Sequence, residues 1–167
     1  MSFFFVFLSV FLIMEFVAWF SHKYVMHGKM WCWHASHHEP RRGPFEKNDL
    51  FAFFFAAVSI ALFAAGYFWH RLFIAAGAGM TAYGAAYFFF HDILNHRRFG
   101  IRVRPRGRYL KAVVRSHRIH HARQEKDGCV SFGFLVPMRL PRRGQAPGES
   151  NPLKKQELAP GDLEKTP

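Results

Sequence analysis

Three long runs of apolar residues, 2–20, 50–69 and 72–90, are separated by short polar segments, and the pattern then gives way to a basic, polar remainder. A helix rises about 1.5 Å per residue, so a run of roughly twenty apolar residues crosses a hydrocarbon core of about 30 Å. Three such runs in a chain of 167 residues leave too little polar chain to cover them in water, so they are predicted to be membrane-spanning helices. The first run lacks a basic leading segment and is longer than the apolar core of a secretory signal, which predicts a retained span. The break His70-Arg71 between the second and third runs is short enough to predict a helical hairpin.

The polar segments carry their own signals. Residues 22–38 predict a continuation of the first helix followed by a second short one, ended by "EPRRGP" (39–44), whose prolines and glycine cannot continue it. "EKNDL" leads into the second span, "RRFGIRVRPRGR" (97–108) reads as an exposed loop, and 109–124 has helical spacing with a basic face. The expected fold class is therefore all-α: a polytopic membrane protein with three to four transmembrane helices and a histidine-rich helical cap. Residues 1–140 form the membrane-embedded domain, and 141–167, rich in Pro, Gly and charge, read as a disordered polar tail without a catalytic part.

Charge sets the expected orientation. Lys23, Lys29, Arg41, Arg42 and Lys47 follow the first run, and Arg97, Arg98, Arg102, Arg104, Arg106 and Arg108 follow the third, which places both segments in the cytoplasm by the positive-inside rule. The net charge of +12 is then accounted for by topology and anionic headgroups rather than by nucleic acid, and docking of an acidic soluble partner stays open. Cys32 and Cys129 fall on that reducing side and receive no disulfide and no metal role.

Ten of the eleven histidines fall into four boxes that repeat across the two halves: His22 and His27 with His34, His37 and His38, then His91 and His96 with His117, His120 and His121. His70 is left over at the opposite side, as an interfacial residue. In an H-x-x-H-H triplet on a helix, positions i, i+3 and i+4 share a face, so each triplet can turn three nitrogens to a common region. The i, i+5 pairs lie about 140° apart on an α-helix, so either the helix is distorted there or the two rings approach from opposite flanks. Neutral imidazole suits Zn, Cu, Fe and Ni, and ten histidines exceed what one ion binds, so two metals are the economical reading. Glu15, Glu39, Asp92, Asn95 and Asp127 are candidates to orient the ligands through hydrogen bonds, with Glu15 seven residues before His22 on the same helix side.

The motifs "HKYVMHG", "WHASHHEP", "EKNDL", "HDILNHRR" and "HRIHHARQEKDGCVSFGFL", spread over residues 13–136, resemble the fatty acid hydroxylase superfamily of membrane di-iron oxygenases, and within it the bacterial β-carotene 3-hydroxylases. The resemblance implies that all ten box histidines bind two non-haem iron ions, with zinc or another metal able to replace iron in a purified sample, and that no separate catalytic acid or base is needed. It implies hydroxylation of carbon 3 of carotenoid β-ionone rings, from β-carotene through β-cryptoxanthin to zeaxanthin. It further implies O2 as the oxidant and electrons delivered by ferredoxin and its reductase. The partners are then the carotenoid, these donors and the lipid bilayer of a bacterial inner membrane, without nucleic acid. Phe51, Phe53, Phe54, Phe55, Phe88, Phe89 and Phe90 are candidates to line a lateral substrate channel, and Arg97, Arg98 and Arg102 to dock the donor. The rival readings are a carotenoid ketolase, a fatty-acid or sterol hydroxylase of the same superfamily, and a membrane metal-binding or transport protein. The oligomeric state stays open.

Overall fold

The computed structural model describes residues 2–40 and 43–137; the expected tail 141–167 and its boundary lie outside them. Helix α1 (Phe3–Phe20) runs directly into a π-helical segment, Ser21–Lys29, and is followed by α2 (Trp31–His38). Helices α3 (Asp49–Phe68) and α4 (Leu72–Tyr87) form the expected hairpin, and α4 runs into a second π-helical segment, Phe88–Asn95. A single 3-10 turn (Arg98–Gly100) and helix α5 (Gly107–His120) complete the elements, and no strand occurs among the described residues. Three helices, Phe3–Lys29, Asp49–Phe68 and Leu72–Asn95, are long and apolar enough to cross a membrane, so the protein is an all-helical, polytopic membrane protein.

Helix α4 sits against both other spans because its sequence removes side chains where the backbones meet. A Cβ on Gly77 would stand 3.2 Å from Ser59 O, and one on Gly79 would stand 2.5 Å from Phe7 O. Small residues permit this close approach in a setting where lipid is as apolar as the helices and dispersion contacts drive association. The Ser59 hydroxyl adds a hydrogen bond across the hairpin to Gly77 O at 3.0 Å.

The interior is unusual in what it buries. Phenylalanines such as Phe4, Phe5, Phe53 and Phe54 are exposed on the outside of the spans, as expected where lipid is the solvent, whereas the largest fully buried side chains are His22, His34 and His120. Helices α1 and α4 both continue past their apolar parts, so their π-helical ends, α2 and α5 gather at one end of the three-helix unit. His70 lies at the far turn, where its Nδ1 accepts the Leu72 N–H at 3.2 Å.

Candidate metal centre

The two π-helical segments settle the i, i+5 spacing. A π turn closes over five residues rather than four, seen in the His96 N–H donating to His91 O at 3.1 Å and the Met30 N–H donating to Val25 O at 2.9 Å. Residues five apart then stand nearly one above the other, and the ring centroids of His22 and His27 lie 5.3 Å apart and those of His91 and His96 4.7 Å apart. Distortion of the helix, rather than approach from opposite flanks, brings each pair together.

Nine imidazoles converge into two groups: His22, His27, His34, His38 and His120 in one, and His37, His91, His96 and His117 in the other, with ligand-capable nitrogens within 4.8 Å of one another in each. The expectation that each H-x-x-H-H triplet serves one common region is corrected. His34 and His38 enter the first group while His37 enters the second, and His120 and His117 divide in the same way. The two groups lie side by side across the shared face of each triplet, with the His34 and His37 rings only 5.4 Å apart and those of His117 and His120 6.2 Å apart, so neighbouring positions on one helix address different clusters. His121 stands between them, its ring 4.5 Å from His38 and 4.4 Å from His117, and its buried Nε2 has no hydrogen-bond partner among the described residues.

The outer ring nitrogens fix the tautomers. His22 Nδ1–H donates to Phe132 O at 3.0 Å, His27 to Lys126 O at 2.9 Å, His38 to Arg123 O at 2.9 Å and His120 to Val130 O at 3.0 Å. His34 donates to Asn48 Oδ1 at 2.7 Å and His37 to Glu46 Oε1 at 3.0 Å. With the proton on Nδ1, each Nε2 carries a lone pair. These lone pairs face each other: His22 and His34 Nε2 are 3.2 Å apart, His34 and His38 3.2 Å, and His27 and His120 3.1 Å. Two acceptors at such a distance repel unless a cation lies between them.

A proton is a poor candidate for that cation. Burial, reinforced by neighbouring imidazoles, lowers His34 to about 2 and His120 to about 3, and holds His37 and His117 well below the ordinary histidine range. His38 and His121 are lowered for the same leading reason. A buried set of neutral, pre-oriented Nε2 donors without a thiolate fits two borderline metal ions.

The expected orienting residues find varied places. Asp92 Oδ1 lies 3.5 Å from His91 Nδ1 and accepts from Arg98 Nη1 at 3.1 Å. Asn95 instead donates from Nδ2 to Phe90 O at 2.7 Å, inside the π turn. Glu39 and Asp127 are exposed, and it is the backbone of the neighbouring Lys126 that meets His27. Glu15 takes a different set of partners, the Tyr83 hydroxyl at 2.7 Å and the backbone amides of Phe134, Leu135 and Val136 at 3.0 Å each. Glu46 and Asn48, which do meet imidazoles, were not singled out from the sequence; the polar "EKNDL" beside a span was the available signal. Arg98 is corrected from a surface to an interior residue: it is 7 % exposed and binds Asp49, Asp92 and Pro44 O, whereas Arg97 and Arg102 are exposed.

An apolar cavity of about 560 Å³ lies between α1, α3 and α4. Met14, Ala18, Phe55, Met80, Tyr83 and Tyr87 line it, and it ends at Phe134 and Asp92. Its end wall is one ring thick. Tyr87 stacks on His91 at 4.6 Å, and Phe134 stacks on His22 at 5.0 Å while meeting His91 edge-on at 5.4 Å, so the cavity abuts both groups. Of the seven phenylalanines expected to line a channel, Phe51, Phe55 and Phe88 do so. Phe53, Phe54 and Phe89 face outward, and Phe90 packs on the Tyr109 ring at 6.0 Å, as the helical period dictates.

Comparison with known proteins follows the same line. The chain is 56% identical over 124 residues to a beta-carotene hydroxylase of Pantoea ananas, covering 73% of this chain and 70% of that protein. It is 52% identical over 132 residues to a beta-carotene hydroxylase of Pseudescherichia vulneris, covering 78% and 73%. A beta-carotene hydroxylase of Paracoccus sp. (strain PC1) is 38% identical over 161 residues, covering 96% and 99%. No solved structure matches significantly. Residues 7–139 match the family model described as fatty acid hydroxylase, a stretch that contains both histidine groups, two of the apolar helices and all but the first turn of the other, Phe3–Lys29, and the chain therefore belongs to the fatty acid hydroxylase family.

Proposed function

We propose that this protein hydroxylates carbon 3 of carotenoid β-ionone rings, taking β-carotene through β-cryptoxanthin to zeaxanthin. The observation that carries the reading is the apolar cavity of about 560 Å³ ending one aromatic ring away from both histidine groups. Its volume falls in the range of about 300–1,000 Å³ typical of ligand sites. It suits a β-ring with part of its polyene, the rest of which lies in lipid between the helices.

All ten box histidines, His121 included, serve the proposed centre, with His22, His27, His34, His38 and His120 around one ion and His37, His91, His96 and His117 around the other. A pair of irons bound there supplies the activation of O2 and the oxidising power that exchanges a ring C–H for C–OH. The overall balance, R–H + O2 + 2 electrons + 2 protons giving R–OH + H2O, requires an outside reductant, and a soluble ferredoxin with its reductase fills that role. The protein's own part is positional. Tyr87 and Phe134 hold the ring against the centre and keep water out, while Glu46, Asn48 and the carbonyls of Arg123, Lys126, Val130 and Phe132 hold a proton on Nδ1 of His37, His34, His38, His27, His120 and His22 and so keep the Nε2 of these six available.

The excess of Lys and Arg beside the histidine boxes supports a histidine end at the cytoplasmic face of a bacterial inner membrane. A transport reading is disfavoured because transport needs ligands along a path at mid-membrane depth, and these groups sit at one end of the spans. Expression of the chain in a bacterium that accumulates β-carotene tests the proposal. Conversion to zeaxanthin is expected, and unchanged β-carotene in the presence of iron and a competent donor overturns it.

A further inference from the structure

The segment after α5 has no regular secondary structure, yet four of the five imidazoles of the first group depend on it. His38, His27, His120 and His22 donate their Nδ1–H groups to the carbonyls of Arg123, Lys126, Val130 and Phe132. His37, of the second group, uses the Glu46 carboxylate on a different segment. A strap with left-handed turns at Gly128 and Ser131 does not hold four carbonyls in place by itself. Something outside it has to fix its position.

Glu15 does so from α1. One oxygen, Oε1, accepts the N–H groups of Phe134, Leu135 and Val136 at 3.0 Å each, and Oε2 accepts the Tyr83 hydroxyl at 2.7 Å. Gly133 leaves room for this approach, since a Cβ there would stand 3.2 Å from Oε1. The strap is thereby tied to α1 and α4 at the point where the Phe134 ring stacks on His22 at 5.0 Å. Hydrogen bonds to a carboxylate are roughly twice as strong as neutral ones, and these three amides have no ladder partner.

We infer that Glu15 is a positioning residue for the first metal group alone: it anchors the strap whose carbonyls orient His22, His27, His38 and His120. This rests on the reading of the two groups as metal sites. Loss of Glu15 frees the strap and releases the ion of the first group, while the second group, whose His37 is oriented by Glu46, keeps its ion.

The test compares full-length wild type, Glu15→Leu and Glu15→Gln, purified from iron-supplemented cells, by iron content per chain, Mössbauer spectrum and amide hydrogen exchange over 123–136. Wild type is expected to hold two irons, Glu15→Leu about one, with faster exchange across the strap. Glu15→Gln, which keeps one acceptor oxygen, is expected to fall between them. Two irons with unchanged exchange in Glu15→Leu overturn the inference, as does equal loss from both spectral components in Glu15→Gln. If wild type binds no iron, the metal reading fails instead, and the exchange comparison still decides whether Glu15 anchors the strap.

Discussion

His37 and His38 are adjacent in sequence, yet His37 Nε2 lies 2.8 Å from His91 Nε2 while His38 Nε2 lies 3.2 Å from His34 Nε2, so one dipeptide feeds both groups. The same division occurs on α5, where His120 meets His27 at 3.1 Å and His117 meets His96 at 2.6 Å. Each helix that carries a triplet thus contributes to two sites, and each site draws on three of the four boxes, the first without His91 and His96 and the second without His22 and His27.

Glu46→Gln is expected to lower iron affinity or activity about 10–100-fold, the usual effect of losing the group that orients a ligating histidine. The amide still accepts the His37 Nδ1–H but no longer supplies its charge. Iron titration of the purified variant checks this, and wild-type affinity would show that the carboxylate is dispensable.

Arg98→Met is expected to destabilise the protein by about 3–5 kcal/mol, because it leaves Asp49 and Asp92 as buried carboxylates without their shared cation. The loop that carries Glu46 and Asn48 also loses its tie at Pro44 O. Denaturation in detergent measures the change, and Arg98→Lys is expected to restore only part of it, since an ammonium cannot reproduce the fork.

Much of this arrangement was legible in the sequence. Apolar length marked the spans, and the repeated boxes marked the histidines. The division of each triplet was not legible, because i, i+3 and i+4 share a face and nothing local says that two clusters flank that face. The roles of the strap carbonyls were hidden for a related reason: a backbone acceptor carries no residue signature, and Phe132 O reaches His22 across 110 positions. Arg98 read as one of several loop arginines, and only the turn through Arg97 (φ 52°) and Phe99 (φ 58°) points it inward.

Stability of the metal-free protein is expected to fall as pH drops below about 6.5, the ordinary histidine value. In the unfolded chain these imidazoles take up protons there, whereas burial keeps His34 neutral down to about 2 and His120 down to about 3. The unfolded state therefore binds more protons over this window, so stability rises with pH through it and is fully present above it. Thermal unfolding in detergent between pH 4 and about 7.5 checks the sign, and a transition that is flat or rises on acidification contradicts it.

The division of boxes between two ions is tested most directly by iron content and Mössbauer spectra of His34→Ala and His37→Ala beside wild type. These residues share one box but enter different groups. Wild type is expected to hold two irons per chain, and each variant to lose a different spectral component, with close to one iron remaining. One iron or none in wild type, or the same component lost from both variants, contradicts the account.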